Sequence, residues 1–200
     1  MGTTPNFGWT YPPATNYVKD LPTNLGDLAD EIDATVFGLG SSPDTILASA
    51  NFTAQSAINL SSVLSDTYRF YSLKINFVAS TSMTLAFKFR ENTTDKSTSY
   101  YVSNITVNTS GTVANRNSAS NTTAMSLTDG DVYYSAITLD IFRPSATIGL
   151  LTHQSMNPNT SAQLYYGGAQ NAGMTNFNGI SILPSTGTIT GTYVLTGRKI

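Results

Sequence analysis

Tyr68–Ser80 reads YRFYSLKINFVAS, with Tyr71, Leu73, Ile75 and Phe77 alternating against Ser72, Lys74 and Asn76. A period of two places one set on each face of a strand. One apolar and one polar face is the pattern of an antiparallel sheet with a single wet side. The next run repeats it. In MTLAFKFR (83–90), Met83, Leu85, Phe87 and Phe89 oppose Thr84, Ala86, Lys88 and Arg90. Further along, YYVSNITVN (100–108) puts Tyr101, Ile105 and Val107 on one face. DVYYSAITLDIFR (131–143) sets Tyr133, Ile137, Leu139 and Ile141 against Asp140.

The same reading extends to TIGLLTHQS, SAQLYYGG, FNGISILP and TITGTYVLTG, and more weakly to ILASANF and AMSL. Turn signals punctuate the runs: Asn92–Ser97, Asp129-Gly130, Arg143-Pro144-Ser145, Asn157-Pro158-Asn159, Gly167-Gly168 and Pro184–Gly187. The expectation is about eight to ten strands over residues 46–200. The fold class is mainly β: an antiparallel β-sandwich, jelly-roll-like, preceded by an extended arm and one short α-helix. An immunoglobulin-like sandwich is the alternative, but it would usually be shorter and its Cys–Trp–Cys signature is absent.

The first forty residues look different. Residues 1–22 hold four prolines among Phe7, Trp9, Tyr11 and Tyr17. Proline forbids a long helix or a central strand, so the segment reads as an extended arm. Its aromatics suit an interface with a neighbouring surface; folding back on its own domain is the alternative. Residues 24–38 read as a helix capped by Thr23 or Asn24, with Asp27, Asp30 and Glu31 in its first half and Gly38 and Gly40 as stops. Leu25, Leu28, Ile32, Thr35 and Leu39 are spaced as a coiled-coil seam. Two heptads do not hold alone, so Leu25, Leu28, Ile32 and Leu39 call for a partner. The segments are therefore 1–40 for attachment and oligomerisation, 41–45 as linker, and 46–200 as the sandwich.

Composition narrows the function classes. Charged residues make up 11% of the 200-residue chain, against roughly 25% in ordinary globular proteins. The net charge of −2 and scattered cations argue against nucleic acid as partner. There is no cysteine, hence no disulfide framework or thiolate metal site. The N-terminus lacks the basic and apolar regions of a signal peptide, and no run is long enough to span a membrane. The expectation is a chain made in a cytoplasm, without membrane insertion.

No catalytic constellation emerges. The single histidine, His153, reads as a polar surface residue at a strand end, and no G-x-S-x-G elbow accompanies it. The acidic residues of the helix read as a solvated face rather than a metal site. TDGD (128–131) offers Asp129 and Asp131 as oxygen ligands for calcium, yet it is equally what a tight turn looks like. No Gly-rich phosphate loop and no cofactor motif is present. Tyr100, Tyr165 and Tyr166 are candidate glycan contacts. The competing reading is that one member of each adjacent pair points into the core, leaving the other for a partner.

Residues 3–40 resemble the opening of tailed-bacteriophage minor tail and fibre-like virion proteins. The resemblance rests on TTPNFG (Thr3–Gly8), on the step from Asn16 to Pro22, and on Asp33–Val36 at the end of the acidic helix. The usual Asp is an Asn at position 16. FNGISILPSTGTITGTYVLTGRK (177–199) and ITLDIFRPS (137–145) are similar to parts of small β-sandwich domains in such proteins. The resemblance implies a non-enzymatic virion structural protein, with Phe7, Trp9, Tyr11 and Tyr17 attaching it to capsid or tail. The sandwich would face outward on the virion surface as a tail appendage or head fibre, with host-surface glycan among its partners. It also implies a homo-oligomer, commonly a trimer. A capsid decoration protein is the alternative; a carbohydrate-binding module or a small glycan depolymerase is the expectation from other classes.

Overall fold

Phe70–Ala79 form a strand whose Tyr71, Leu73, Ile75, Phe77 and Ala79 are buried while Lys74 and Asn76 are exposed. The alternation that decides the fold is therefore read out residue by residue. The structure, a computed structural model, describes residues 2–3, 10–11, 26–32, 44–107, 111, 113–130, 134–145, 148–157, 163–173 and 176–199. The chain divides into two compact units, Met1–Pro43 and Asp44–Ile200.

In the first unit, β1 (Gly2–Thr3) pairs antiparallel with β2 (Thr10–Tyr11). The arm thus carries a short ladder of its own. The helix α1 covers 26–32, within the expected 24–38. Leu28 and Ile32, four residues apart, are half-buried, as is Glu31, whereas Asp27 and Asp30 are exposed. Phe7, Trp9, Tyr17, Leu25 and Leu39 lie outside the described residues, and of Tyr11 only the backbone pairing is described.

The second unit is an antiparallel β-sandwich. Its strands are β3 (Asp44–Gln55), β4 (Ile58–Leu60), β5 (Phe70–Ala79), β6 (Met83–Glu91), β7 (Thr94–Asp95), β8 (Tyr100–Val107), β9 (Val113–Thr122), β10 (Met125–Gly130), β11 (Tyr134–Ser145), β12 (Ile148–Asn157), β13 (Gln163–Asn171), β14 (Gly179–Pro184) and β15 (Ile189–Arg198). One sheet has eight strands in the order β3-β15-β5-β11-β12-β13-β8-β9. The other has the order β10-β6-β14-β4, with β7 paired to β6 as its fifth strand. The sheets are unequal, and more strands form than the eight to ten expected. The additions are short or polar: β4, β7 and β9 (VANRNSASNT) carry little apolar alternation to announce them.

The core lies between the sheets. From the large sheet it takes Leu73, Ile75, Phe77, Ile137, Leu139 and Ile141; from the small one, Leu85, Phe87, Phe89, Ile180 and Ile182. Phe89 is the hub of an aromatic group, its ring centroid 4.9 Å from Phe87 and 4.6 Å from Phe177. Arg90, one residue on, is buried on the opposite face. It is held by Asp95 at 3.0 Å, by Ser181 Oγ at 2.7 Å and by the Thr93 carbonyl. A buried guanidinium is tolerable only with such partners, and they pin β7 over the small sheet.

Three turn readings change. Arg143-Pro144-Ser145 continues β11 to its end, where the ladder with β12 shifts between Phe142 and Ser145. Gly167-Gly168 lies inside β13 rather than at a turn. Asp129-Gly130 likewise ends a strand, paired with Thr84 and Met83 of β6. Pro184–Gly187 does turn, with Gly187 at φ 65, a left-handed conformation that glycine adopts without strain.

Candidate functional site

The outer face of the eight-stranded sheet holds a cleft of about 940 Å³. Two neighbouring transverse rows of side chains form it. Pairing registers put Arg198, Phe70, Phe142, Leu150, Gln170 and Tyr101 in one row, from β15 across to β8. The next row on this face, two residues along each strand, is Thr196, Ser72, Asp140, Thr152, Gly168 and Ser103. Asp44 on β3 and Ala119 on β9 also line it, so all eight strands contribute. A hollow shared by eight strands requires the outer face to be bowed at this end, as sheet twist and coiling allow.

The two rows differ in chemistry. The first is broad and apolar: Phe70 and Phe142 stack with centroids 4.9 Å apart, and Tyr101 stands 50% exposed at the far side. The second is small and hydroxylated, with Asp140 at its middle between Ser72 and Thr152. Gly168 adds no side chain, and a Cβ there would sit 3.2 Å from the Leu151 carbonyl oxygen. At the β3 edge, Arg198 makes a bidentate pair with Asp44, Nε–Oδ1 2.8 Å and Nη2–Oδ2 3.2 Å. That hydrogen bonding holds the Asp44 carboxyl below its usual range and raises Arg198. Asp44 and Asp140 are three strand spacings apart, roughly 15 Å between backbones. A glycosidase pair needs about 5–10 Å, so these two carboxylates do not make one.

The tyrosine candidates separate by strand parity. Tyr100 is fully buried beside Phe89; its hydroxyl accepts from the Phe89 N–H at 2.7 Å and donates to the Lys96 carbonyl at 3.3 Å. Burial pushes its phenol pKa upward. Tyr100 is therefore a core residue and not a glycan contact. Its neighbour Tyr101 is the outward member of that pair and lies in the cleft. Tyr165 is half-buried on the inner side, and Tyr166 is outward and 41% exposed. Tyr166 sits four residues along β13 from Gln170, about 13 Å beyond the first row. The face that seemed apolar in YYVSNITVN, with Tyr101, Ile105 and Val107, is the outer face, while Tyr100, Val102 and Asn104 point inward. Phe70, Phe142 and Leu150 were missed because each adjoins a core residue in the chain, Tyr71, Ile141 and Leu151, and reads as part of the same apolar run.

His153 is not a surface residue. It is 5% exposed, on the inner face of β12. Asn104 Nδ2 donates to the Ser126 carbonyl at 3.1 Å, which turns Asn104 Oδ1 toward His153 Nε2 at 3.2 Å. Nε2 therefore carries the proton, and the buried Nδ1 has no partner among the described residues. Burial lowers the His153 pKa to about 4, so the ring is neutral. Gly167 is cross-strand neighbour to both residues, and a Cβ on it would land on Asn104 Oδ1 and His153 Nε2. The glycine that resembled a turn residue is the space in which this pair meets.

Asp131 lies outside the described residues, and the side chain of Asp129 is not described, so the TDGD calcium reading has no geometry here. Among the described residues no group of three His, Asp or Glu side chains is placed to hold a metal ion. No helix among them is long and apolar enough to cross a membrane.

No family model matches the chain, and no curated protein matches it. Among solved structures, a chain from "Structure of infectious bursal disease virus Gt strain" aligns at a TM-score of 0.14 and 11% identity, over 80% of this chain and 37% of that one. A TM-score of that size carries no argument about fold or function.

Proposed function

We propose that this is a non-enzymatic structural protein of a tailed-phage virion. Residues 1–43 attach it to the particle, and the sandwich of 44–200 projects as a tail appendage or head fibre that serves host adhesion. The observation that carries the reading is the division of the chain at Pro43/Asp44, which coincides with the end of the segment resembling virion attachment regions. Chemistry in that segment is the chemistry of contact: aromatic side chains in a proline-rich arm, then a short helix whose Leu28 and Ile32 share one face.

The sandwich also carries a surface suited to the self-association proposed here, for which the resemblance implies a trimer. On the large sheet's outer face, away from the cleft, Met156, Leu164, Val107 and Val113 form one cross-strand row. Tyr166 and Ile105 pair in the next row. Met156, Val113, Tyr166 and Ile105 are all classed among the exposed large apolar side chains. A contiguous patch of this kind marks an interaction surface more often than bare solvent contact.

The test is deletion of residues 1–43 in the phage that encodes the chain. Purified particles are expected to lack the truncated protein while the soluble protein still unfolds cooperatively. Incorporation at the normal copy number would overturn the attachment reading. Sedimentation of the full chain at the monomer mass would overturn the oligomer.

A further inference from the structure

We infer that the transverse cleft on the eight-stranded sheet is a binding site for a short neutral oligosaccharide. Three observations select that ligand class. First, the cleft pairs an aromatic and aliphatic row with a hydroxylated one. Sugar rings present C–H faces and equatorial hydroxyls side by side, so they need flat apolar surface and hydrogen-bonding groups together. Phe70 and Tyr101, 45% and 50% exposed, supply the flat surface. Asp140, Gln170, Ser103 and Thr152 supply acceptors and donors. Aromatic side chains left in water next to polar groups are the usual contents of a recognition site rather than of a solvated sheet face.

Second, the shape fits a chain rather than one sugar. Phe70 on β5 and Tyr101 on β8 are separated by β11, β12 and β13, four strand spacings or roughly 19 Å. Phe142, Leu150 and Gln170 stand between them in the same row, and the neighbouring row is small and hydroxylated, with no side chain at Gly168.

Third, the charge disfavours acidic ligands. The charged groups lining the cleft are Asp44, Asp140 and Arg198. Arg198 is already engaged by both oxygens of Asp44. Asp140 then leaves the lining with one net negative charge, which favours neutral over sialylated, sulfated or phosphorylated glycans, with Lys74 one row beyond Ser72 on the same face. It also accepts hydroxyl protons strongly, since a charged acceptor makes the stronger hydrogen bond. The site functions wherever the sandwich is displayed, so its failure would leave the attachment reading untouched.

The experiment uses the full chain on an array of neutral and acidic bacterial-type oligosaccharides, followed by calorimetric titration of the tightest neutral binder. Y101A and F70A each weaken binding roughly tenfold, and D140N weakens it by a smaller factor. Tyr134→Ala, an exposed aromatic change on the same face outside the cleft lining, leaves affinity unchanged. Thermal unfolding of each variant at the wild-type midpoint shows that the fold is kept. Three results would overturn the inference: no neutral glycan retained, retention of acidic glycans alone, or full affinity in Y101A and F70A. A change in the sedimenting mass of Y101A or F70A, without a change in glycan affinity, would assign the groove to a second copy of the chain and equally reject it.

Discussion

His153 and Gly167 carry the sharpest consequences at the scale of single residues. In the unfolded chain His153 titrates near 6.5; in the fold its burial holds it to about 4. Above about pH 6.5 both states are neutral there, and the fold keeps its full stability. As pH falls from 6.5 towards 4, only the unfolded state takes up the proton, and stability is lost by about 3 kcal/mol. Urea unfolding at pH 7 and pH 4.5 is expected to show that decline. The chain has one histidine, so its imidazole signals in an NMR titration should stay unshifted between pH 7 and 5.5; a midpoint near 6.5 would place the ring in water. Gly167→Ala is expected to cost about 2–3 kcal/mol in urea unfolding, because a methyl group there displaces a buried hydrogen-bonded pair. At this scale strand parity was legible: Leu73, Ile75, Phe77, Leu139 and Ile141 face inward as their alternation requires. The His153–Asn104 pair was not, because 49 residues separate its members and only the register of β12, β13 and β8 brings them together.

Among the elements, β15 bears the most. It is the last strand of the chain, yet it lies between β3 and β5, paired with both over most of its length. Its Gly191 passes so close to β5 that a Cβ would meet the Asn76 carbonyl and the Phe77 backbone. Removing residues 185–200 would strip a ladder from both neighbours and open the core at Ile189 and Leu195, which are fully buried. Such a truncation is expected to be protease-sensitive and to lose its β-sheet circular dichroism. A protected fragment running from Asp44 to Pro184 would contradict this placement. The strand runs with clean alternation were visible in the sequence as β5, β6 and β11. Strand β9 was not, since VANRNSASNT, at the edge of its sheet, shows no apolar alternation. Strand β8 was seen but its faces were exchanged: Tyr101, Ile105 and Val107 are apolar, and only the packing of Tyr100 against Phe89 shows which side is the core.

For the molecule as a whole, chemistry is segregated along the chain. The unit of residues 1–43 holds the only tryptophan and a helix with exposed Asp27 and Asp30; the unit of 44–200 holds the core, the cleft and the apolar outer patch. The antiparallel sandwich was legible from periodicity. Its unequal sheets, and the cleft that the larger one forms, were not, because curvature arises from the pairing of all eight strands rather than from any one of them. The proposed role joins these parts: one unit to attach, the other to meet the host. A density map of the phage particle tests that claim most directly. The expected map places residues 1–43 against a capsid or tail protein, with the sandwich outward and its cleft open to solvent. A map with the sandwich docked on the particle and residues 1–43 turned away, or with no density for the chain, would contradict it.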